Sequence, residues 1–145
     1  LKNKSYDALI VLYPVYPLRT SAHLDKMIEF FMSKINCSSL VGIKKPSTHP
    51  FLCYERMNSG SIRNIMKFDE DVFYRRQDYP LYHEITHWAC ILSTGLVGTL
   101  NNQLISQNTY GYFVPKELPI VNIDTINDFE YAEFLLNHTK YKNLF

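Results

Sequence analysis

The chain has 145 residues, which suits one domain, and 46% of them are hydrophobic, enough to form a packed core. The formal net charge is +1, so composition excludes the basic excess that drives nucleic-acid binding. Three widely spaced cysteines, an odd number, are expected to be reduced. The longest apolar run, at residues 8–13, is too short to span a bilayer, so we expect a cytoplasmic protein without a membrane partner.

The first half of the chain has the pattern of a strand, a helix and a second strand. Residues 8–12 form a continuous β-favouring run, expected to be covered on both faces in a parallel sheet. Two prolines then fix a stiff loop that ends at Arg19, at the strand end where open α/β sheets bind ligands. Thr20 or Ser21 is expected to cap an amphipathic helix, and residues 39–43 predict a second buried strand that completes a βαβ unit. The apolar face of this helix comprises Leu24, Met27, Ile28, Phe31 and Ile35.

The second half begins with an irregular or hairpin-like excursion, predicted over residues 44–77 because turn-forming residues are frequent there. Strands are predicted at 84–92, 110–114 and 120–123, while 96–104 is ambiguous. The chain closes with a helix that follows a cap signature at 125–128 and has an apolar face. That face comprises Phe129, Ala132, Leu135 and Leu136. We find no repeat or linker, and therefore draw no domain boundary.

The clearest candidate site is the group of polar residues within 122–128. Alternation along the predicted strand places Asn122 and Asp124 on one face at its end. Two oxygen donors there could hold Mg²⁺, which prefers oxygen ligands, water and substrate phosphates. The alternative is that Asp124 or Thr125 caps the helix and Asp128 satisfies its first turn. Spacing alone favours this capping interpretation.

Two other groups of residues are weaker candidates. The adjacent guanidiniums of Arg75 and Arg76 can clamp a carboxylate or phosphate, although neighbouring arginines more often form a solvated loop. The histidines, including His83 and His87, do not follow a zinc-binding pattern, and His87 is interpreted as polar surface or a substrate contact. With five glycines in the chain and no glycine-rich phosphate motif, a complete nucleotide site is not expected in these residues.

Four segments taken in order resemble the acylneuraminate cytidylyltransferase family. They read ALIVLYPVYPLRT at 8–20, HP at 49–50, RRQDYP at 75–80, and VNIDT followed by DF and AE within 121–133. The family reads LQPTSPLRT, then HP, then RRQDLP, then DIDTxxD[FL]xxAE. The resemblance covers nearly all of the chain, from about residue 6 to residue 137.

The resemblance implies a Rossmann-like, three-layer α/β nucleotide-diphospho-sugar transferase fold that joins CTP to an acidic nonulosonic sugar, giving a CMP-sugar and pyrophosphate. It implies Mg²⁺ as cofactor, with Asp124 and Asn122 at the metal and Asp124 and Arg76 in catalysis. It also implies a homodimer with an arm at about residues 62–81. The remaining residues that it places at the substrate are Arg19, Tyr16, Arg75, Gln77 and His87.

This sequence departs from the family pattern at several points. The family's opening strand and CTP loop, expected before residue 6, are absent from these 145 residues, so we expect a partial domain that does not bind CTP normally by itself. Bulky residues at 13–17 reshape the sugar pocket, residues 86–90 lack a family glycine, and Asn122 replaces an acid at the metal. The alternatives are an inactive or truncated homologue that acts as an interaction module, and a nucleotidyltransferase for another sugar.

Overall fold

The computed structural model describes residues 5–69, 71–142 and 144–145. Within them lie two helices, α1 (Ser21–Ser33) and α2 (Ile126–Asn137). The strands are β1 (Ala8–Val11), β2 (Ser39–Lys44), β3 (Tyr54–Arg56), β4 (Ile62–Asn64), β5 (Glu84–Ser93) and β6 (Thr109–Phe113). The chain separates into two compact units, one formed by residues up to Lys44 and from Ile85 onward, the other by Lys45–Glu84.

The first unit contains a mixed sheet in the order β1-β5-β2-β6. β1 pairs antiparallel with β5, and β2 pairs parallel with β6. β5 is the longest strand, and most of its residues are buried because it lies in the interior of the sheet. The predicted mixed α/β class is therefore confirmed.

The predictions for residues 8–12, for the βαβ unit and for residues 120–123 differ from the structure. β1 is an edge strand paired antiparallel, and Leu9 and Ile10 are exposed, so it is neither parallel to its neighbour nor covered on both faces. β5 lies between β1 and β2, so the strands of the expected βαβ unit are not neighbours. Residues 120–123 do not form a strand. The apolar composition of both segments favours extended backbone, but the available hydrogen-bond partners decide whether it joins a sheet.

Helix α1 is N-capped by Thr20, as predicted, and packs on the sheet. Met27 is fully buried in a core cluster with Leu40 of β2 and Trp88 of β5. Burying a side chain of this size contributes about 1.5–3 kcal/mol to folding. Ile35 was wrongly assigned to the apolar face, because it lies beyond the helix and is exposed.

Helix α2 covers a second, smaller core cluster. Ala132 and Leu135 of α2 are buried against Leu18 and Val121. Phe129 and Leu136, which we predicted on the same face, are exposed.

The second unit begins with a short 3₁₀ turn and contains the predicted hairpin. β3 pairs antiparallel with β4 through a turn in which Gly60 has a positive φ of 89°. Glycine tolerates this conformation without steric cost. An aromatic cluster around Phe51 supports the unit, and Phe51 stacks on Phe68 with ring centroids 4.0 Å apart.

Candidate functional site

The loop between β1 and α1 is fixed by Arg19. The guanidinium of Arg19 donates from Nη1 to the carbonyl oxygen of Trp88 at 2.7 Å and from Nη2 to that of Tyr13 at 2.9 Å. Trp88 Nε1 donates to the carbonyl oxygen of Leu18 at 3.1 Å, which adds a second hydrogen bond between the loop and β5. Burial lowers the pKa of Arg19, although the group remains charged. Arg19 closes the loop, and substrate binding by it stays a prediction.

The loop meets the segment that precedes α2. The backbone N–H of Ile123 donates to the carbonyl oxygen of Val15 at 2.9 Å. Although 120–123 is not a strand, this bond holds Asn122 and Asp124 beside the loop. The amide Nδ2 of Asn122 donates to the carboxylate Oδ2 of Asp124, so their side chains are in direct contact.

The capping interpretation of residues 125–128 is confirmed. Thr125 Oγ1 accepts from the backbone N–H of Asp128 at 3.3 Å, and Asp128 Oδ2 accepts from the backbone N–H of Thr125 at 2.8 Å. The Thr125 hydroxyl also donates to Asp128 Oδ2 at 2.7 Å, and this bond, followed by those from the backbone N–H groups of Thr125 and Asp124, lowers the pKa of Asp128. The carboxylate of Asp124 is not part of this reciprocal cap. Thr125 is therefore the capping residue, and the side chain of Asp124 is available for another role.

The donor set at Asn122 and Asp124 suits a hard cation only in part. In the described part of the chain, no group of three or more His, Cys, Asp and Glu side chains could hold a metal ion. Asn122 Oδ1 and the second oxygen of Asp124 leave two protein oxygens. Mg²⁺ commonly binds through one or two protein oxygens and completes its shell with water and phosphate oxygens. The pair fits such a site when a phosphorylated substrate supplies the other ligands.

Tyr16 and His87 have different environments. Tyr16 is half-buried and packs against the main core cluster, and this contact anchors the loop to the core. His87 of β5 lies edge-on to Tyr13, with ring centroids 5.4 Å apart and an interplanar angle of 65°. The sequence placed Tyr13 within the bulky segment 13–17 but did not single it out as a site residue. The Tyr13–His87 pair lies where this loop meets β5.

Arg75, Arg76 and Gln77 lie in the second unit. They are exposed and surround a 3₁₀ turn at Arg76–Asp78. Arg76 lines a pocket of about 370 Å³ within this unit. Lys45 and Thr48, which sequence reasoning missed, line the same pocket. The only available signal for them was their position just before the His49-Pro50 motif.

The geometry defines a mixed α/β chain in which a proline-rich loop, the strand β5 and an Asn–Asp segment meet in one unit. None of its helices, over the described ranges, is long and apolar enough to cross a membrane. Comparison with protein-family models gives no match, and comparison with curated proteins gives none either.

Proposed function

We propose that the protein is a nucleotidyltransferase that activates an acidic nonulosonic sugar with CTP. The observation that carries the proposal is the backbone bond from Ile123 to Val15 at 2.9 Å. It joins two segments that are distant in sequence and that each resemble a signature of the acylneuraminate cytidylyltransferases. A site built from both signatures would need these two segments to be in contact.

The proposal includes the Rossmann-like, three-layer nucleotide-diphospho-sugar transferase fold. The packing of α1 on the sheet and the parallel β2–β6 pair support this assignment, whereas the antiparallel β1–β5 pair departs from a parallel sheet. It also includes a cytoplasmic homodimer in which residues 62–81 form the arm. Exposed apolar side chains at Ile62, Ile65, Val72 and Leu81 support that role for the arm.

In the proposed reaction, the anomeric hydroxyl oxygen of the sugar attacks the α-phosphorus of CTP. The bond from that phosphorus to the bridging oxygen breaks, pyrophosphate leaves, and the hydroxyl proton passes to solvent or a base. The work of the protein is positioning and charge stabilisation. Asn122 and Asp124 would hold Mg²⁺, which when bound neutralises triphosphate charge. Arg76 would provide a cation in catalysis.

The other proposed contacts are with the sugar. Within the second unit, the proposal assigns Arg75 and Gln77 to sugar binding, and both are exposed on the turn. Within the first unit, it assigns His87 of β5 to sugar contact, and Tyr16 and Arg19 to shaping the loop after β1. The replacement of the family's small polar residues at 13–17 favours a sugar other than plain N-acetylneuraminate.

A binding-only homologue is the second candidate. Asn122 favours it, because an amide contributes no negative charge to the metal and here donates to Asp124. In that case the loop and the Asn–Asp segment keep their arrangement as an interaction module without catalysis.

Pyrophosphate release separates the two candidates. The full-length gene product would be incubated with CTP, Mg²⁺ and a panel of nonulosonic acids, alone and as Asp124→Ala. We expect sugar-dependent release by the wild-type protein and loss of most of it in Asp124→Ala, with unchanged unfolding. Asp124→Asn serves as the matched variant because it keeps the size of the side chain. If no sugar-dependent pyrophosphate release is found, the proposed enzymatic activity is contradicted. If Asp124→Ala keeps full activity, Asp124 has no role in that activity.

A further inference from the structure

The second unit contains a pocket whose walls come from two separate segments. Its volume is about 370 Å³, within the range of small-molecule sites. One wall comes from the residues that follow β2, the other from the 3₁₀ turn at Arg76–Asp78. The polar and aromatic residues that line it are Lys45, Ser47, Thr48, His49, Arg76 and Tyr79.

The pocket lining has excess positive charge. Lys45 and Arg76 contribute one cation each, and no carboxylate is among the lining residues of the described chain. Neither side chain makes a hydrogen bond or ion pair within the ranges that the structure describes. The nearby acid Glu84 accepts the backbone N–H of Ser47 at 3.2 Å and offsets part of this charge. Two unpaired cations at one concave site attract anions.

His49 holds the two walls together. Its Nδ1 accepts from the backbone N–H of Phe51 at 3.2 Å, and its Nε2 lies 3.0 Å from the carbonyl oxygen of Pro80. Since Nδ1 is an acceptor, the proton resides on Nε2, which donates to Pro80. The ring of Tyr79 packs on His49 with centroids 4.6 Å apart. This framework positions the walls before any ligand arrives, which lowers the entropy cost of binding.

We infer that this pocket binds the phosphate or carboxylate group of a small polar molecule, with Lys45 and Arg76 as its charge partners. A guanidinium presents a planar fork of donors that matches two oxygens, and an ammonium adds a point charge. The hydroxyls of Ser47 and Thr48 supply neutral donors. The volume exceeds that of a bare anion, so the uncharged part of the molecule lies against Tyr79. The inference goes beyond the proposed function because binding here requires neither nucleotide nor metal.

The test is a titration with two simple probes, inorganic phosphate and acetate, at constant ionic strength and without CTP or Mg²⁺. Binding is followed by amide chemical shifts in the 145-residue chain and in Lys45→Ala, Arg76→Ala and Arg56→Ala. Arg56 of β3 is the matched control, because it is an exposed arginine of the same unit and does not line the pocket. All three positions are exposed, so the variants are expected to fold, as the shift dispersion will show.

We expect at least one probe to shift pocket residues, and Lys45→Ala and Arg76→Ala each to weaken that binding about fivefold or more, about 1 kcal/mol. Arg56→Ala is expected to stay within about twofold of wild type. Preference for phosphate or for acetate identifies which oxyanion the pocket takes. The inference is overturned if neither probe binds, or if Arg56→Ala weakens binding as much as Arg76→Ala. The proposed function is tested separately by pyrophosphate release in Asp124→Ala, a residue of the other unit that these titrations do not involve.

Discussion

The role of Arg19 can be decided by replacing it with methionine. Arg19→Met keeps the apolar stem and removes the donors that reach the carbonyl oxygens of Tyr13 and Trp88. If Arg19 mainly closes its loop, the substitution destabilises the fold. If Arg19 acts only on substrate, stability is unchanged.

The magnitude follows from two lost bonds. A hydrogen bond from a charged donor contributes about 1.5–3 kcal/mol, but the site is only partly buried and water can replace part of each bond. We therefore expect a loss of about 2 kcal/mol in the free energy of unfolding. For a chain of this length this corresponds to a decrease in Tm of roughly 6–8 °C.

The chain's single tryptophan, Trp88, makes the measurement specific. Trp88 is buried in the unit that contains Arg19, so its fluorescence during urea denaturation reports unfolding of that unit. Arg19→Lys should show an intermediate loss, because an ammonium cannot reach both carbonyls as a planar fork does. Arg75→Met is the control and should unfold as wild type does. A midpoint unchanged in Arg19→Met would refute the structural role.

Three further predictions concern single positions. Gly42→Ala should lower the free energy of unfolding by about 1–3 kcal/mol, because the new Cβ would lie 2.9 Å from the carbonyl oxygen of Thr86. Calorimetry measures this loss, and an unchanged free energy would contradict the close packing at Gly42. Thr125→Ala should lower the free energy of unfolding by about 1 kcal/mol, because it removes the acceptor for the backbone N–H of Asp128. An unchanged midpoint in urea denaturation would show that this cap does not stabilise α2. Burial lowers the pKa of His23 from 6.5, so its contribution to stability is complete above that pH and is lost as pH falls through the folded value. His23→Gln should flatten this part of the stability–pH curve, and an unchanged slope would assign it to other groups.

The helices could be predicted because their end signals are local. Thr20 and Thr125 cap α1 and α2 as their sequences indicated. The strand β5 was also predictable, since a long β-favouring run suits the interior of a sheet. These elements need little information from distant parts of the chain.

Other features depended on contacts that no local pattern contains. The backbone of Ile123 bonds to the loop oxygen of Val15 and not to a sheet strand, which is why the predicted strand is absent. Asn122 and Asp124 were expected on one face of a strand, whereas their contact arises in an irregular segment. The pocket at Lys45 could not be predicted, because the bond from His49 to Pro80 that assembles it is long-range.

The proposed function depends most on Asn122 and Asp124 being a metal position and not only a segment that leads into a helix cap. Magnesium binding would be titrated by calorimetry at fixed CTP, in the full-length gene product and in its Asn122→Asp variant. We expect tighter binding in Asn122→Asp, because a carboxylate is a better ligand for a hard cation than a neutral amide oxygen. Unchanged or weaker binding would contradict the proposed metal position and place Mg²⁺ away from this pair.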